Sequence, residues 1–217
     1  MISKQERIEK LLTTIDLLGV ATIKQLMQIH DLKSYRNAAR IISDTLSPFL
    51  NQTYYNKQKI FYLNKDGREL IGSNKEIKKS PIIEHTLLRN EVYLYCQCPR
   101  DWRVECRLES KQKNLNLKAI QVSGLKPANS LKVVADAVYA KNGYVYFIEV
   151  DNMQTMLENQ KKVEKYAEII PKIRDQFNNA CPILCVYTTT DTRKKKFAEM
   201  LQKKGIRHEV RTFGEIN

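Results

Sequence analysis

The stretch Val133-Val-Ala-Asp136-Ala-Val-Tyr-Ala140-Lys-Asn142-Gly143-Tyr-Val-Tyr-Phe-Ile-Glu149-Val-Asp151 decides the fold. Two runs rich in β-branched and aromatic residues meet at an Asn-Gly pair, the strongest short-range signal for a two-residue hairpin turn. The pattern therefore predicts two antiparallel strands, with Asp136 on the first and Glu149 and Asp151 on the second. Residues two apart on a strand share a face, so Glu149 and Asp151 point the same way and three carboxylates have the opportunity to converge.

Downstream, a helical run marked by Met153, Leu157, Gln160, Val163, Ala167 and Ile170 ends before Pro171, which cannot continue a helix. Pro182-Ile-Leu-Cys-Val-Tyr187 is short and continuously apolar, the pattern of a strand buried on both faces. Asp191 is expected to cap a last helix with Phe197, Met200 and Leu201 inward and Gly205 just past its end, and His208 to Phe213 reads as a last strand. Upstream, Trp102-Arg-Val-Glu105-Cys-Arg107-Leu-Glu109 alternates, predicting a strand with Trp102, Val104, Cys106 and Leu108 on one face. Before it, Ile83 to Tyr95 has a broad apolar stripe, and residues 110–130 form a long polar excursion. From residue 82 the order is thus α, β, β, β, α, β, α, β, a mixed sheet flanked by helices.

The first 72 residues follow another plan. Ile8, Leu11, Leu12, Ile15 and Leu18 recur at helical spacing, and Thr22-Ile-Lys-Gln25 has the form of a capping box for a second helix. Ser34 caps a third, whose outward positions are Tyr35, Arg36, Arg40 and Ser43. Thr53-Tyr-Tyr and Ile60-Phe-Tyr-Leu63 flank the turn Asn56-Lys57-Gln58-Lys59 and predict a hairpin with two lysines at its tip. Three short helices and a basic hairpin form the pattern of a winged helix-turn-helix. The third helix then enters the major groove, with Tyr35, Arg36 and Arg40 at the DNA and Lys57 and Lys59 on the phosphates. The polar stretch 73–81 is expected to link this domain, residues 1–72, to a second at 82–217.

Composition narrows the function. The chain has 217 residues, 37 Lys and Arg against 24 Asp and Glu, and a formal net charge of +13, an excess that attracts polyanions. No apolar run reaches transmembrane length, and the N-terminus lacks the apolar core of a signal peptide, so a cytoplasmic protein is expected. The five cysteines lack zinc-finger spacing, and His30, His85 and His208 are scattered, which gives no support to a histidine or cysteine metal site.

The order of elements in the second half, with Asp136 on one strand and Glu149 on the next, resembles the restriction-endonuclease-like PD-(D/E)XK superfamily. That resemblance implies magnesium ligands at Asp136 and Glu149 and a water-positioning lysine two residues after the Glu, where this chain has Asp151. It has Ala135 where the motif has proline. A lysine moved to the following helix, Lys162, is the alternative source of the missing cation, with Glu105, Arg107 and Tyr166 as candidates to support the cluster. Over nearly the whole chain, His85-x-x-x-x-Asn90, Trp102-x-x-Glu105, Asp136-Ala, Glu149-x-Asp151-x-x-x-Thr155 and Lys162-Val-x-Lys-Tyr166 resemble the replication-relaxation family. Glu-x-Asp is usual in that family. The resemblance implies an α+β protein, a winged helix followed by a non-catalytic restriction-endonuclease-like domain. It also implies a DNA-binding accessory of mobile-element replication, relaxation or transfer, or a regulator of the element's genes. Double-stranded DNA, a second copy of the chain, and a replication initiator or relaxase are the expected partners. No cofactor is expected; the competing expectation is a magnesium-dependent nuclease built on Asp136 and Glu149.

Overall fold

The computed structural model describes residues 3–76, 83–110, 131–152 and 154–216. The chain forms two compact units, one reaching Cys98 and one spanning Pro99–Ile216. The division lies beyond the expected linker, and its cause is the helix at residues 83–95. That helix packs with the first unit through buried polar contacts. Arg89 donates to the Leu18 carbonyl at 2.9 Å, Asn90 to the Val20 carbonyl at 2.7 Å, and Gln25 to Glu91 at 2.7 Å. Residues 83–95 form the expected helix, but it belongs to the first unit rather than to the second. Of the expected linker, residues 77–81 lie outside the described residues.

In the first unit α1 (Lys4–Leu18) buries Leu11, Leu12, Ile15 and Leu18. A short strand β1 (Ala21–Thr22) leads into α2 (Ile23–His30), whose capping box joins Thr22 and Gln25 as the sequence predicts. Helix α3 (Tyr35–Ile41) starts at the Ser34 cap, widens into a π turn at Ile42–Leu46 and ends in a 3-10 turn containing Pro48. Strands β2 (Leu50–Tyr55) and β3 (Gln58–Leu63) pair antiparallel, and β1 adds to the far side of β3. The hairpin turn is tighter than expected. Asn56 and Lys57 alone occupy it, at φ 45° and 62°, so Lys57 is at the tip while Lys59 lies within β3 opposite Tyr54.

Helix α4 (Lys65–Ile71) follows, with Asn64 capping Gly67 and reaching the Pro48 carbonyl at 2.8 Å. A Cβ on Gly67 would sit 2.3 Å from the Phe49 carbonyl oxygen, a clash with backbone that no rotamer relieves. Gly67→Ala is therefore expected to destabilise the first unit by about 2 kcal/mol, read as a lower urea midpoint at unchanged slope. Unaltered stability would mean that α4 does not pack so closely on the 3-10 turn. Helix α5 (Ile83–Tyr95) completes the unit.

The second unit is a five-stranded sheet in sequence order: β4 (Arg103–Glu109), β5 (Lys132–Lys141), β6 (Tyr144–Asp151), β7 (Cys181–Thr188) and β8 (His208–Thr212). The first three strands are antiparallel and the last three parallel. Asn142 and Gly143 make the predicted turn, at φ 52° and 78°. Helices α6 (Met156–Ile169) and α7 (Asp191–Lys203) are the crossovers between parallel strands. Both contribute to one core, where Val163, Tyr166 and Ile169 meet Phe197, Leu201, Phe147 and Val186, so both cover the same sheet face. Met153 and the excursion at 111–130 lie outside the described residues.

The smooth alternation expected for β4 breaks at Glu105. Cys106 and Leu108 join the core beneath α6, whereas Trp102 stacks on Tyr139 at 5.7 Å and Tyr139 on Tyr146 at 4.6 Å. Tyr139 pairs with Tyr146, and its neighbour Val138 pairs with Phe147, a core residue; the tyrosines therefore occupy the opposite face. Along β5, Val133, Ala135 and Val138 all enter the core, so the two-residue period slips once near Asp136. Glu105, at φ 50°, is the residue on β4 where the same slip occurs, which explains how an apparently regular strand changes faces.

Candidate functional site

The slip shapes the acidic site. Pairing of β5 with β6 ends at Ala137 and Ile148. Beyond it, Asp136 inserts its side chain between the strands and accepts the Val150 N–H at 2.7 Å. A carboxylate thus replaces a backbone carbonyl in the ladder and holds open a fork next to Glu149. Glu149 is buried, and α6 supplies both of its described hydrogen-bond donors: the Lys162 ammonium to Oε2 and the Tyr166 hydroxyl to Oε1. Lys162 and Tyr166 are four apart on a helix, hence on one face, which is why a single helix reaches both oxygens.

Burial pushes the Glu149 carboxyl up to about 8, helped by the nearby Asp136 charge, against the opposing pull of Lys162 and the hydrogen bonds. For Lys162 burial disfavours the charge, but Glu149 and Asp136 outweigh it and its pKa rises. Tyr166 is raised well above its ordinary value by burial and by Glu149. Burial and the neighbouring Asp136 therefore disfavour the charge on Glu149, while the Lys162 ammonium and the two hydrogen bonds oppose that push.

The linkage sign follows. Glu149 titrates near 4.5 when unfolded and near 8 when folded, so between those values the folded state binds more protons and stability falls as pH rises. This contribution is complete below about pH 4.5 and lost by about pH 8. Urea unfolding between about pH 5 and pH 9 should show this decline, and Glu149→Gln should flatten it. An identical slope in the variant would show that Glu149 titrates normally.

Asp151 has a different place. One carboxylate oxygen accepts from Asn159 Nδ2 at 2.8 Å and Arg193 Nη2 at 2.6 Å, the other from Thr188 Oγ1 at 2.6 Å and Arg193 Nε at 2.7 Å. Arg193 also donates to the Gln154 carbonyl at 2.7 Å. This two-pronged guanidinium pair, with side chains 24% and 3% exposed, ties together the ends of β6 and β7 and the first turns of α6 and α7. Asp151 therefore neither competes with Glu149 for Lys162 nor stands ready for a metal.

The remaining candidates separate from this cluster. Arg107, expected to support it, pairs instead with Glu109 at 3.8 Å. Glu105 is exposed at the strand slip, and Tyr166 is the supporting residue that the structure does bring to Glu149. Among the described residues no group of three or more His, Cys, Asp and Glu could hold a metal. Asp136 and Glu149 offer two carboxylates. The cavity beside Glu149 and Lys162, about 20 Å3, has room for roughly one water and none for a nucleotide. Thr190, one residue before the expected Asp191, caps α7 by accepting the Arg193 N–H.

In the first unit Tyr35, Arg36 and Arg40 are all exposed on α3, and Lys57 is exposed at the hairpin tip. Arg40 donates to Asn37 at 3.2 Å, one turn earlier, which steadies the guanidinium on the helix surface. The sequence reading missed Tyr54, which is 67% exposed, and the Asp151 partners Asn159, Thr188 and Arg193. Tyr54 was within reach of the strand period once the turn was fixed at Asn56-Lys57. The partners of Asp151 converge from three elements and have no local signature.

Fold and site together define an α+β protein that joins a helix-and-hairpin unit to a five-stranded mixed sheet carrying a buried acidic cluster. Residues 12–182 match the replication-relaxation family, and the chain belongs to it. No curated protein sequence matches. Among solved structures, the crystal structure of protein VC1899 from Vibrio cholerae aligns with 97% of this chain at 11% identity and a TM-score of 0.38. The alignment covers 53% of VC1899, so the chain spans about half that protein's length. Among the described residues no helix is long and apolar enough to cross a membrane.

Proposed function

We propose that the protein is a sequence-preferring DNA-binding accessory of replication-related processes in a mobile element. Its first unit is a winged helix and acts as the DNA reader. The exposed Tyr35-Arg36 and Arg40 on α3, beside a hairpin tipped by Lys57, carry this reading. Arginines on an exposed helix reach base edges and phosphates, and the hairpin lysine adds a backbone contact. A second copy of the chain would extend the short site read by one winged helix. The second unit is then a nuclease-derived scaffold in which Asp151 holds structure. Mobility shifts on duplex DNA flanking its gene should weaken steeply as salt rises, because phosphate contacts release counterions. Binding that ignores salt, or no binding at all, would contradict this reading.

The contact of Lys162 with Glu149 favours a second reading, a magnesium-dependent nuclease in which α6 restores the cation missing at Asp151. Asp136 and Glu149 would hold the ion and Lys162 would stabilise the attacking water. That reading requires cleavage of supercoiled or single-stranded DNA with magnesium or manganese and its loss in Asp136→Ala. Intact DNA under both metals rejects it.

A further inference from the structure

A groove of about 710 Å3 lies between α3 and the β2–β3 hairpin, within the size range of small-ligand sites. Its floor includes Ile23, Ile42 and Phe61, all buried; Arg40 and Lys59 line its walls, and its lining contains no carboxylate. A duplex backbone lying across this surface would use the cations and gain nothing from the apolar floor. An unpaired nucleotide uses both, since it carries a flat apolar base on one side and a phosphate on the other.

Two further features fit the same ligand. Gln52 lines the groove and offers a side-chain donor and acceptor, the complement of a base edge. Gln52 pairs with Phe61 and Tyr54 pairs with Lys59, so these four side chains share one face of the hairpin. Tyr54 is 67% exposed there, an aromatic surface on which a second base can stack beside the Lys59 charge. Phe61, Gln52, Lys59 and Tyr54 thus set an apolar ring, an amide, a cation and an exposed ring along one hairpin face, and Arg40 borders the groove from α3.

We propose that this groove is a subsite for an unpaired nucleoside phosphate, with the base on the apolar floor and the phosphate between Arg40 and Lys59. The unit is supplied by a locally opened DNA strand or by a free nucleotide. This rests on the reading of the first unit as DNA-binding and adds to it a preference for DNA with unpaired bases.

Fluorescence anisotropy with the full chain tests it, using a blunt duplex, the same duplex with a three-thymidine bulge, and free dTMP. Wild type should bind the bulged duplex about tenfold more tightly than the blunt one. Gln52→Leu, which removes the amide, and Ala39→Met, which fills the groove, should each reduce that preference below about twofold and leave blunt-duplex binding within about twofold. Arg36→Ala, outside the groove, should weaken both duplexes equally. Binding of dTMP that depends on Gln52, without a bulge preference, assigns the subsite to the free nucleotide. Equal binding of the two duplexes with no dTMP binding overturns the subsite and leaves duplex recognition standing. Binding of bulged duplex or dTMP without blunt duplex sustains the subsite and overturns duplex recognition. A bulge preference unchanged in both groove variants also overturns it.

Discussion

Arg193→Ala is expected to lower the unfolding free energy of the second unit by about 3 kcal/mol. The substitution leaves Asp151, 3% exposed, without its cation, and Asn159 and Thr188 satisfy only part of the charge. Asp151→Asn should cost less, because the neutral amide removes the buried anion and leaves Arg193, whose side chain is 24% exposed, free to turn to water. Asp151→Lys, which gives the sequence a Glu-x-Lys pattern, should be at least as damaging as Arg193→Ala, since it sets two cations together among Asn159, Thr188 and Arg193. Urea unfolding of the three variants orders them. An Arg193→Ala chain as stable as wild type would remove Asp151 from its structural role.

The second large effect is expected at α3. Arg36→Ala/Arg40→Ala should weaken duplex binding about 100-fold or more at moderate salt and make the salt dependence shallower. Lys57→Ala, at the hairpin tip, should weaken binding more evenly across sequences, as a phosphate contact does. Neither change should alter stability appreciably, because all three side chains are exposed. A double variant that binds like wild type would show that α3 is not the reading helix.

Local signals in the sequence carried most of the elements. The Asn142-Gly143 turn, the Thr22 and Ser34 caps and the apolar run at 182–187 each depend on neighbouring residues, and each appears where the pattern puts it. Long-range choices were less legible. Helix α5 has an apolar stripe that suits either unit, and its membership is settled by Arg89 and Asn90 meeting carbonyls some seventy residues earlier. The slip at Glu105 is invisible in an alternating sequence because alternation continues on either side of it.

The acidic site divides in the same way. Spacing placed Glu149 and Asp151 on one face, and both border the small cavity there. Helical periodicity allowed Lys162 and Tyr166 to be considered together. What separates the two acids is their partners: α6 reaches Glu149, and Arg193 from a helix over forty residues away claims Asp151. Reading Asp151 as a lost catalytic lysine described the motif, whereas its four hydrogen bonds to three side chains describe its work.

Hydrogen exchange of the full chain with and without bound duplex DNA tests the central claim most directly. Protection is predicted at α3, residues 35–41, and along the hairpin, residues 50–63, with the strands around Asp136 and Glu149 unchanged. Protection confined to the second unit, with α3 and the hairpin exchanging as in the free protein, would contradict it.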